Sequence, residues 1–66
     1  MLDYQIRVLE EMIELNNRRS KLADFIGLEN GQFSTLPQPE RRRLIQQYAA
    51  MDSYHKILLE RIANFI

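Results

Sequence analysis

Two long amphipathic segments carry most of the hydrophobic pattern of this chain. In both, apolar side chains recur at steps of three and four residues, which is the spacing of one side of an α-helix. The first segment runs from about residue 3 to residue 26, and the second from about residue 37 to residue 65. Asp3 is the expected N-cap of the first. The pattern therefore predicts two helices joined by one loop.

The stretch between the two predicted helices, GLENGQFSTLPQP, contains both glycines and both prolines of the chain. Gly27 stands where the C-cap of the first helix is expected. Pro37 and Pro39 are tolerated in the first turn of the second helix, because the N–H groups there have no partner within the helix. We therefore predict a loop over about residues 27–36, within a single domain over residues 1–66.

Each predicted helix carries more than one line of apolar side chains. On the first helix, the Ile13 line is Leu2, Ile6, Leu9, Ile13 and Ala23, and the Leu15 line, roughly 100° around the axis, is Val8, Met12, Leu15, Leu22 and Ile26. On the second helix, the Leu58 line is Leu44, Tyr48, Met51, Leu58, Ile62 and Phe65, and the Leu59 line is Ile45, Ala49, Leu59, Ala63 and Ile66. An antiparallel hairpin covers one line on each helix, and the others leave too much apolar surface for a soluble monomer. We predict an all-α fold, an antiparallel two-helix hairpin that assembles into a homo-oligomeric helical bundle.

The length of the chain, 66 residues, points to the same assembly. A monomer of this size buries too little surface for comfortable stability without additional cross-links. The chain contains no cysteine, so neither a disulfide nor a zinc–thiolate site can supply one. Self-association is the remaining route to stability.

Nine cationic and nine anionic side chains give a formal net charge of zero. A domain that binds long nucleic acid normally has a basic excess, so we expect no such partner. No apolar run reaches membrane-spanning length, and the acidic, amphipathic start is not typical of a signal peptide. We therefore expect no membrane partner and a cytosolic location.

The sequence shows no pattern typical of catalysis or metal binding. His55, the only histidine, stands on the Leu58 line, where a packed or interface histidine is expected. No other ligands stand at a spacing suited to a metal, and no serine lies in a nucleophile motif. The basic run ERRRL at residues 40–44 is typical of a solvated first helical turn. We predict no enzyme activity, no catalytic residue, no cofactor and no metal.

One side of the first helix is charged and carries an aromatic ring at each end. Its members are Tyr4, Arg7, Glu11, Glu14, Arg18, Lys21 and Phe25. Arg19 instead points to the Leu15 line, where it must reach water or meet an anion. Opposite charges four residues apart satisfy one another on an ordinary solvated surface. A flat, anionic ligand suits the same side, and spacing alone leaves both interpretations open.

Several short stretches together resemble a family of very short phage proteins. The most distinctive are YQIRV at residues 4–8 and FSTLP at residues 33–37, and KLADFI, MDSY and ILLERI also follow its pattern. The resemblance covers almost the whole chain. This family is similar to the anti-CBASS protein 2 group, whose members act as sponges: they sequester cyclic oligonucleotide signals that bacterial immune enzymes make.

The resemblance implies a helical-hairpin hexamer with cyclic dinucleotide pockets between protomers, and separate cyclic trinucleotide sites in some members. It also implies a location in the cytoplasm of the infected bacterial host. The family's tyrosine matches Tyr4, its basic residue late in the first helix matches Arg18, Arg19 or Lys21, and its arginine near the end matches Arg61. The predicted ligand-binding residues are Tyr4, Gln5, Arg7, Arg18, Arg19, Lys21, Phe25 and Arg61.

These residue types suit a cyclic dinucleotide, which offers two phosphates and two flat bases. Arginine contacts phosphate through two N–H donors, and aromatic rings stack on bases. A ligand with near two-fold symmetry suits a site between two identical copies. We therefore predict a phage protein for immune evasion that binds cyclic dinucleotides such as cyclic GMP-AMP, or cyclic trinucleotides, without degrading them. The alternative is a structural or protein-interaction oligomer with no nucleotide ligand.

Overall fold

Three helices make up the computed structural model, which describes residues 1–27 and 32–65. They are α1 (Asp3–Gly27), α2 (Gln32–Thr35) and α3 (Gln38–Ala63). No strand occurs in those two ranges, so the all-α prediction is confirmed. None of the helices there combines the length and the apolar character needed to cross a membrane.

The start of α1 is capped by a different residue from the one expected. The carbonyl of Leu2 accepts the N–H groups of Gln5 and Ile6 at 3.0 and 3.1 Å, so Leu2 is the N-cap. The Gln5 Oε1 atom in turn accepts the Leu2 N–H at 3.0 Å. This reciprocal contact is the glutamine half of a capping box. Asp3 is instead the first helical residue, where its negative charge still favours the helix dipole.

A short helix lies within the stretch for which we predicted a loop. The Thr35 hydroxyl donates to the carbonyl of Gln32 at 2.7 Å, and the Leu36 N–H donates to the carbonyl of Phe33 at 3.2 Å. These local hydrogen bonds close the single turn of α2. Residues 28–31, the rest of the predicted loop, lie outside the described residues.

The two long helices pack antiparallel through the Leu15 line of α1 and the Leu58 line of α3. Val8, Leu15 and Leu58 are buried, and Leu58 is fully buried at 0% exposure. Met12, Met51, Ile62 and Phe65 pack against them. Tyr4 at the start of α1 contacts Phe65 just after α3, which fixes the opposite directions of the helices. The hairpin therefore uses one predicted apolar line from each helix.

The apolar side chains of the other two lines are largely uncovered. Leu2, Ile6, Ile13, Ile45, Ile57 and Leu59 expose between 42% and 62% of their surface. Ile57 stands beside the Leu59 line. A soluble chain rarely leaves so much contiguous apolar surface in water. The predicted homo-oligomeric bundle, which would cover these side chains, stays a prediction.

A polar contact near the middle of α3 joins it to α1. The Arg19 Nη1 atom lies 2.6 Å from Asp52 Oδ1, and its Nη2 atom donates to Asn16 Oδ1 at 2.9 Å. Lys56 Nζ lies 3.2 Å from Asp52 Oδ2. The hydrogen bonds from Lys56 and then Arg19 lower the pKa of the Asp52 carboxyl, because both favour its charged form. Arg19, expected to reach water or an anion, meets an anion of the same chain.

Replacing Leu58 by Ala should destabilise the hairpin by about 2–5 kcal/mol, since it leaves a cavity at the centre of the core. Urea unfolding followed by circular dichroism measures the loss. Gln47→Ala is the control, because it shortens an exposed side chain of α3 that lies outside every apolar line. Equal losses in the two variants would contradict the packing of the Leu58 line against α1.

Asp52→Asn should make stability less sensitive to acid. The folded pKa of Asp52 lies below its unfolded value of about 3.9, so its contribution is present above that pH and is lost as pH falls through the folded pKa. Urea unfolding at several pH values from 7 to 2 should therefore show a shallower acid slope in Asp52→Asn than in the native chain. The control is Asp24→Asn, which removes an exposed carboxylate outside the described ion pairs. The acid slope of this variant should equal that of the native chain. Parallel acid slopes for the native chain and Asp52→Asn would refute the contribution of this carboxylate.

Candidate ligand-binding surface

Tyr4 lies at the open end of the hairpin, where α1 begins and α3 ends. Its ring meets that of Phe65 edge to face, with 5.8 Å between the centroids and 83° between the planes. Such pairs are favourable beyond the apolar area they bury. Tyr4 nevertheless remains 52% exposed. The contact thus orients an aromatic ring while leaving about half of it accessible.

A second tyrosine ties the charged side of α1 to α3. The Tyr54 hydroxyl donates to Glu11 Oε1 at 2.5 Å. This hydrogen bond, then burial and the Glu11 charge, raise the pKa of Tyr54, while the nearby Arg61 charge acts in the opposite direction. Tyr54 and Arg61 are seven residues apart and lie on one side of α3. Arg61 therefore faces the same surface as the charged side of α1.

We call the group formed by Tyr4, Arg7 and Arg61 the Tyr4 end. Arg7 is exposed and shares the side of α1 that carries Tyr4 and Glu11. Neither Arg7 nor Arg61 forms an ion pair within residues 1–27 and 32–65. Unpaired guanidinium groups beside a half-open ring can contact an anion that carries a flat base.

Gln5, also predicted as a ligand residue, has a structural role at this end of the chain. Its side-chain oxygen accepts the Leu2 N–H as part of the cap of α1. The amide oxygen therefore already has one donor, although an oxygen of this type has two lone pairs. Gln5 holds the first turn that carries Tyr4, and a direct ligand contact stays a prediction.

We call the group formed by Arg18, Lys21 and Phe25 the Lys21 end. Arg18 Nη2 lies 2.6 Å from Glu14 Oε1, and both side chains are well exposed, so this pair contributes little to stability. Lys21 is exposed and has no described ion-pair partner. The Phe25 ring meets Phe33 edge to face, with centroids 6.2 Å apart at 86°. This end offers cations beside an aromatic pair.

The sequence left three basic residues late in α1 as alternatives for phosphate contact. Arg19 differs from the others because it is partly buried and bonded to Asp52 and Asn16. Moving its guanidinium to a ligand would leave Asp52 without one of its partners. Arg18 and Lys21 have no comparable contact with α3, so they are the better placed of the three.

The predicted ligand residues do not come together within one chain. The rise of about 1.5 Å per residue places Arg18 about 21 Å along the axis from Tyr4, and Phe25 about 31 Å from it. Arg61 joins Tyr4 and Arg7, whereas Arg18, Lys21 and Phe25 lie toward the opposite end of the hairpin. One chain therefore presents two separate groups.

Sequence reasoning missed the partners of the two aromatic rings. It took an aromatic at each end of a charged side as a sign of a ligand, yet Phe65 and Phe33 give Tyr4 and Phe25 partners within the chain. It also left out Tyr54, although the spacing of Tyr54, Arg61 and Phe65 by seven and four residues marks one side of α3. That spacing was the available signal.

His55 is buried within the hairpin, as expected for a packed histidine on the Leu58 line. Its Nδ1 atom is buried and has no hydrogen-bond partner in the described part of the chain. Within the same part, no group of three or more His, Cys, Asp or Glu side chains is arranged to hold a metal ion. His55 therefore belongs to the core and not to either end described above.

Comparison with known proteins gives one match. No curated protein and no solved structure matches the chain. The family model described as Sequestin matches residues 2–64, which include α1, α2, α3 and both ends of the candidate surface. Because this match covers almost the whole length, the chain belongs to the Sequestin family.

Proposed function

We propose that the protein is a sponge for the cyclic oligonucleotide signals of bacterial immunity, and that it binds cyclic dinucleotides such as cyclic GMP-AMP without degrading them. The family description, Sequestin, supports sequestration of a ligand. The resemblance to the anti-CBASS protein 2 group supports the class of ligand and the origin in a phage. The observation that carries the proposal is the Tyr4 end, where a half-exposed ring lies beside Arg7 and Arg61, two cations that have no ion-pair partner among the described residues.

The chemistry of the Tyr4 end matches one half of a cyclic dinucleotide. The Tyr4 ring offers a face for a base, and its contact with Phe65 reduces the freedom that binding would otherwise remove. Arg7 and Arg61 offer planar N–H forks for a phosphate. These two guanidinium groups need not leave a described ion pair in order to bind. Two guanidinium groups at one place can hold an anion although the net charge of the chain is zero.

The Lys21 end enters the proposal through a second copy of the chain. It lies about 21 Å or more from Tyr4 along α1, so one chain cannot present both ends to one small ligand. A symmetric neighbour can place its Arg18 and Lys21 beside the first chain's Tyr4. A ligand with near two-fold symmetry would then receive the same groups from each copy. This arrangement is why we propose a homo-oligomer, with a hexamer implied by the resemblance.

One observation favours a second candidate function, a structural or protein-interaction oligomer. The uncovered Ile13 and Leu59 lines lie outside the Tyr4 end and would serve a protein partner as well as a second copy. In that case the charged side of α1 is solvated surface held by pairs such as Glu14–Arg18. The binding experiment below separates the two candidates.

Ile13→Asp should lower the mass of the assembly while leaving the hairpin folded. Ile13 is exposed in the single chain, so the charge is tolerated there, but it is costly inside an apolar interface. Light scattering at micromolar concentration measures the mass, and circular dichroism checks the helix content. Ser20→Asp adds the same charge at an exposed polar position of α1 and should not change the mass. A native chain that is monomeric, or an Ile13→Asp variant of native mass, would contradict self-association through this line.

Tyr4→Ala should weaken binding of cyclic GMP-AMP by about 1–3 kcal/mol if the ring stacks on a base, while Tyr4→Phe should retain most of the affinity. Arg7→Ala and Arg61→Ala should each weaken binding and flatten its salt dependence, since fewer phosphate contacts remain. Calorimetry at two salt concentrations measures both effects. Arg43→Ala is the matched control, because Arg43 is an exposed cation paired with Glu40 away from the Tyr4 end.

The ligand recovered after denaturing the complex should be the intact cyclic dinucleotide, as judged by mass spectrometry. Treatment with a chelator should leave the affinity unchanged. Recovery of a linearised product would show that the protein is an enzyme and not a sponge. Loss of binding after chelation would show that binding depends on a metal ion. Unchanged affinity in Tyr4→Ala, Arg7→Ala and Arg61→Ala would show that the Tyr4 end is ordinary solvated surface. That result would favour the second candidate, a structural or protein-interaction oligomer.

A further inference from the structure

A cavity lies between α2 and the first turns of α3, away from the Tyr4 end. Its volume is about 350 Å³. The described residues around it are Phe33, Gln38, Arg41, Arg42, Ile45 and Gln46. Of these, only Phe33 touches the surface of the proposed function, through its contact with Phe25. The sequence pattern predicts solvated surface at Arg41 and Arg42. We infer that the cavity is a separate binding site for a mononucleotide-sized anion, namely one planar ring that carries one phosphate.

The arginines at the cavity differ from the third arginine of the same run. Arg43 Nη1 lies 3.1 Å from Glu40 Oε2, whereas Arg41 and Arg42 form no ion pair within the described residues. Arg41 is half-buried, and its Nε atom is buried without a hydrogen-bond partner. A buried donor without an acceptor is unfavourable. Because Nε is itself covered, an anion in the cavity would contact the terminal amino groups of the guanidinium. Guanidinium groups also match the geometry of phosphate.

The other side of the cavity suits a planar ring. Phe33 and Ile45 supply apolar surface, and the edge-to-face contact with Phe25 orients the Phe33 ring. Gln38 and Gln46 carry amide groups that both donate and accept hydrogen bonds. A heteroaromatic ring with polar edges uses both kinds of contact, whereas a purely apolar ring would leave the amides unused.

Size and charge limit the ligand further. A volume of about 350 Å³ is near the lower end of the range of about 300–1,000 Å³ for small-molecule sites, which favours one nucleotide unit over a cyclic dinucleotide. No described residue around the cavity is a carboxylate. The cavity also borders the beginning of α3, whose dipole favours an anion there. Together these features select a ring with a single phosphate.

Nuclear magnetic resonance titration of the full chain, labelled with ¹⁵N, tests this inference. The three probes are adenosine 5′-monophosphate, adenosine and inorganic phosphate, so that ring and anion are also presented apart. The monophosphate should bind at least tenfold more tightly than either part, because only it engages Phe33 and the arginines together. Its chemical shift changes should concentrate at residues 33–46.

Variants on both sides of the cavity separate the contribution of the arginines from that of the Phe33 ring. Arg41→Ala and Arg42→Ala should each weaken the monophosphate at least tenfold, and Arg43→Ala, the neighbouring paired cation, should change it less than twofold. Phe33→Leu keeps an apolar side chain and should weaken both ring-containing probes but not phosphate. Cyclic GMP-AMP should bind Arg41→Ala, Arg42→Ala and Arg43→Ala like the native chain, so failure here is distinguishable from failure of the proposed function.

Four results would overturn the inference. The first is no change of chemical shift at millimolar monophosphate. The second is equal affinity for monophosphate and inorganic phosphate, which would make the cavity a simple anion contact. The third is loss of monophosphate binding in Tyr4→Ala but not in Arg41→Ala, which would move the ligand to the Tyr4 end. A drop in assembly mass in Arg41→Ala without loss of monophosphate affinity would also overturn it, because a neighbouring chain would then cover the cavity.

Discussion

The burial of Leu58 between the two long helices is the contact on which the rest of the molecule depends. Around it, Val8 and Leu15 are the other buried apolar side chains of the described residues. Every other apolar contact of the hairpin is partial, as in the packing of Met12 and Met51 against this core. A core of this size contributes little against the conformational entropy of the chain. Burial of the remaining apolar surface against further copies of the chain would therefore add stability that the single hairpin lacks.

Polar and aromatic contacts decide how the helices align once this core has formed. The Arg19–Asp52 pair and the Tyr54–Glu11 hydrogen bond both join α1 to α3 at positions beside the apolar seam. Apolar side chains tolerate a small shift along the helix axis better than a hydrogen bond does, because a hydrogen bond depends on distance and angle. The register of the hairpin, and with it the position of Arg61 relative to Tyr4, rests on such contacts.

The sequence predicted those features that follow from a period within one helix. The spacing of Leu15 and Leu58 identified the lines that form the seam, and the leftover lines around Ile13 and Leu59 were expected to be uncovered. Features that depend on a partner across the hairpin were out of reach. The sequence predicts that Arg19 reaches either water or an anion. It cannot identify Asp52 as that anion, because the spacing of residues within α1 does not show which residue of α3 lies opposite.

The absence of tertiary information also explains why the sequence predicts the wrong N-cap for α1 and a loop where α2 lies. Residue type alone predicts Asp3 as the N-cap, because Leu2 is not a residue type that caps helices. The cap at Leu2 depends on the Gln5 side chain, which accepts the Leu2 N–H. Phe33 was placed in a loop because glycine and proline surround it, although its contact with Phe25 holds a helical turn in place. Both cases need tertiary or side-chain geometry that periodicity does not contain.

The contact between Tyr4 and Phe65 has a practical consequence for anyone who handles this protein. It brings the beginning of α1 and Phe65 to one location, beside the surface proposed for the ligand. An affinity tag or fluorescent fusion attached before α1 or after Phe65 would start from this location. A reporter attached to the thiol of a Ser53→Cys variant, in the middle of α3, would avoid obstructing it, because position 53 is exposed and lies about 18 Å along the helix axis from Phe65.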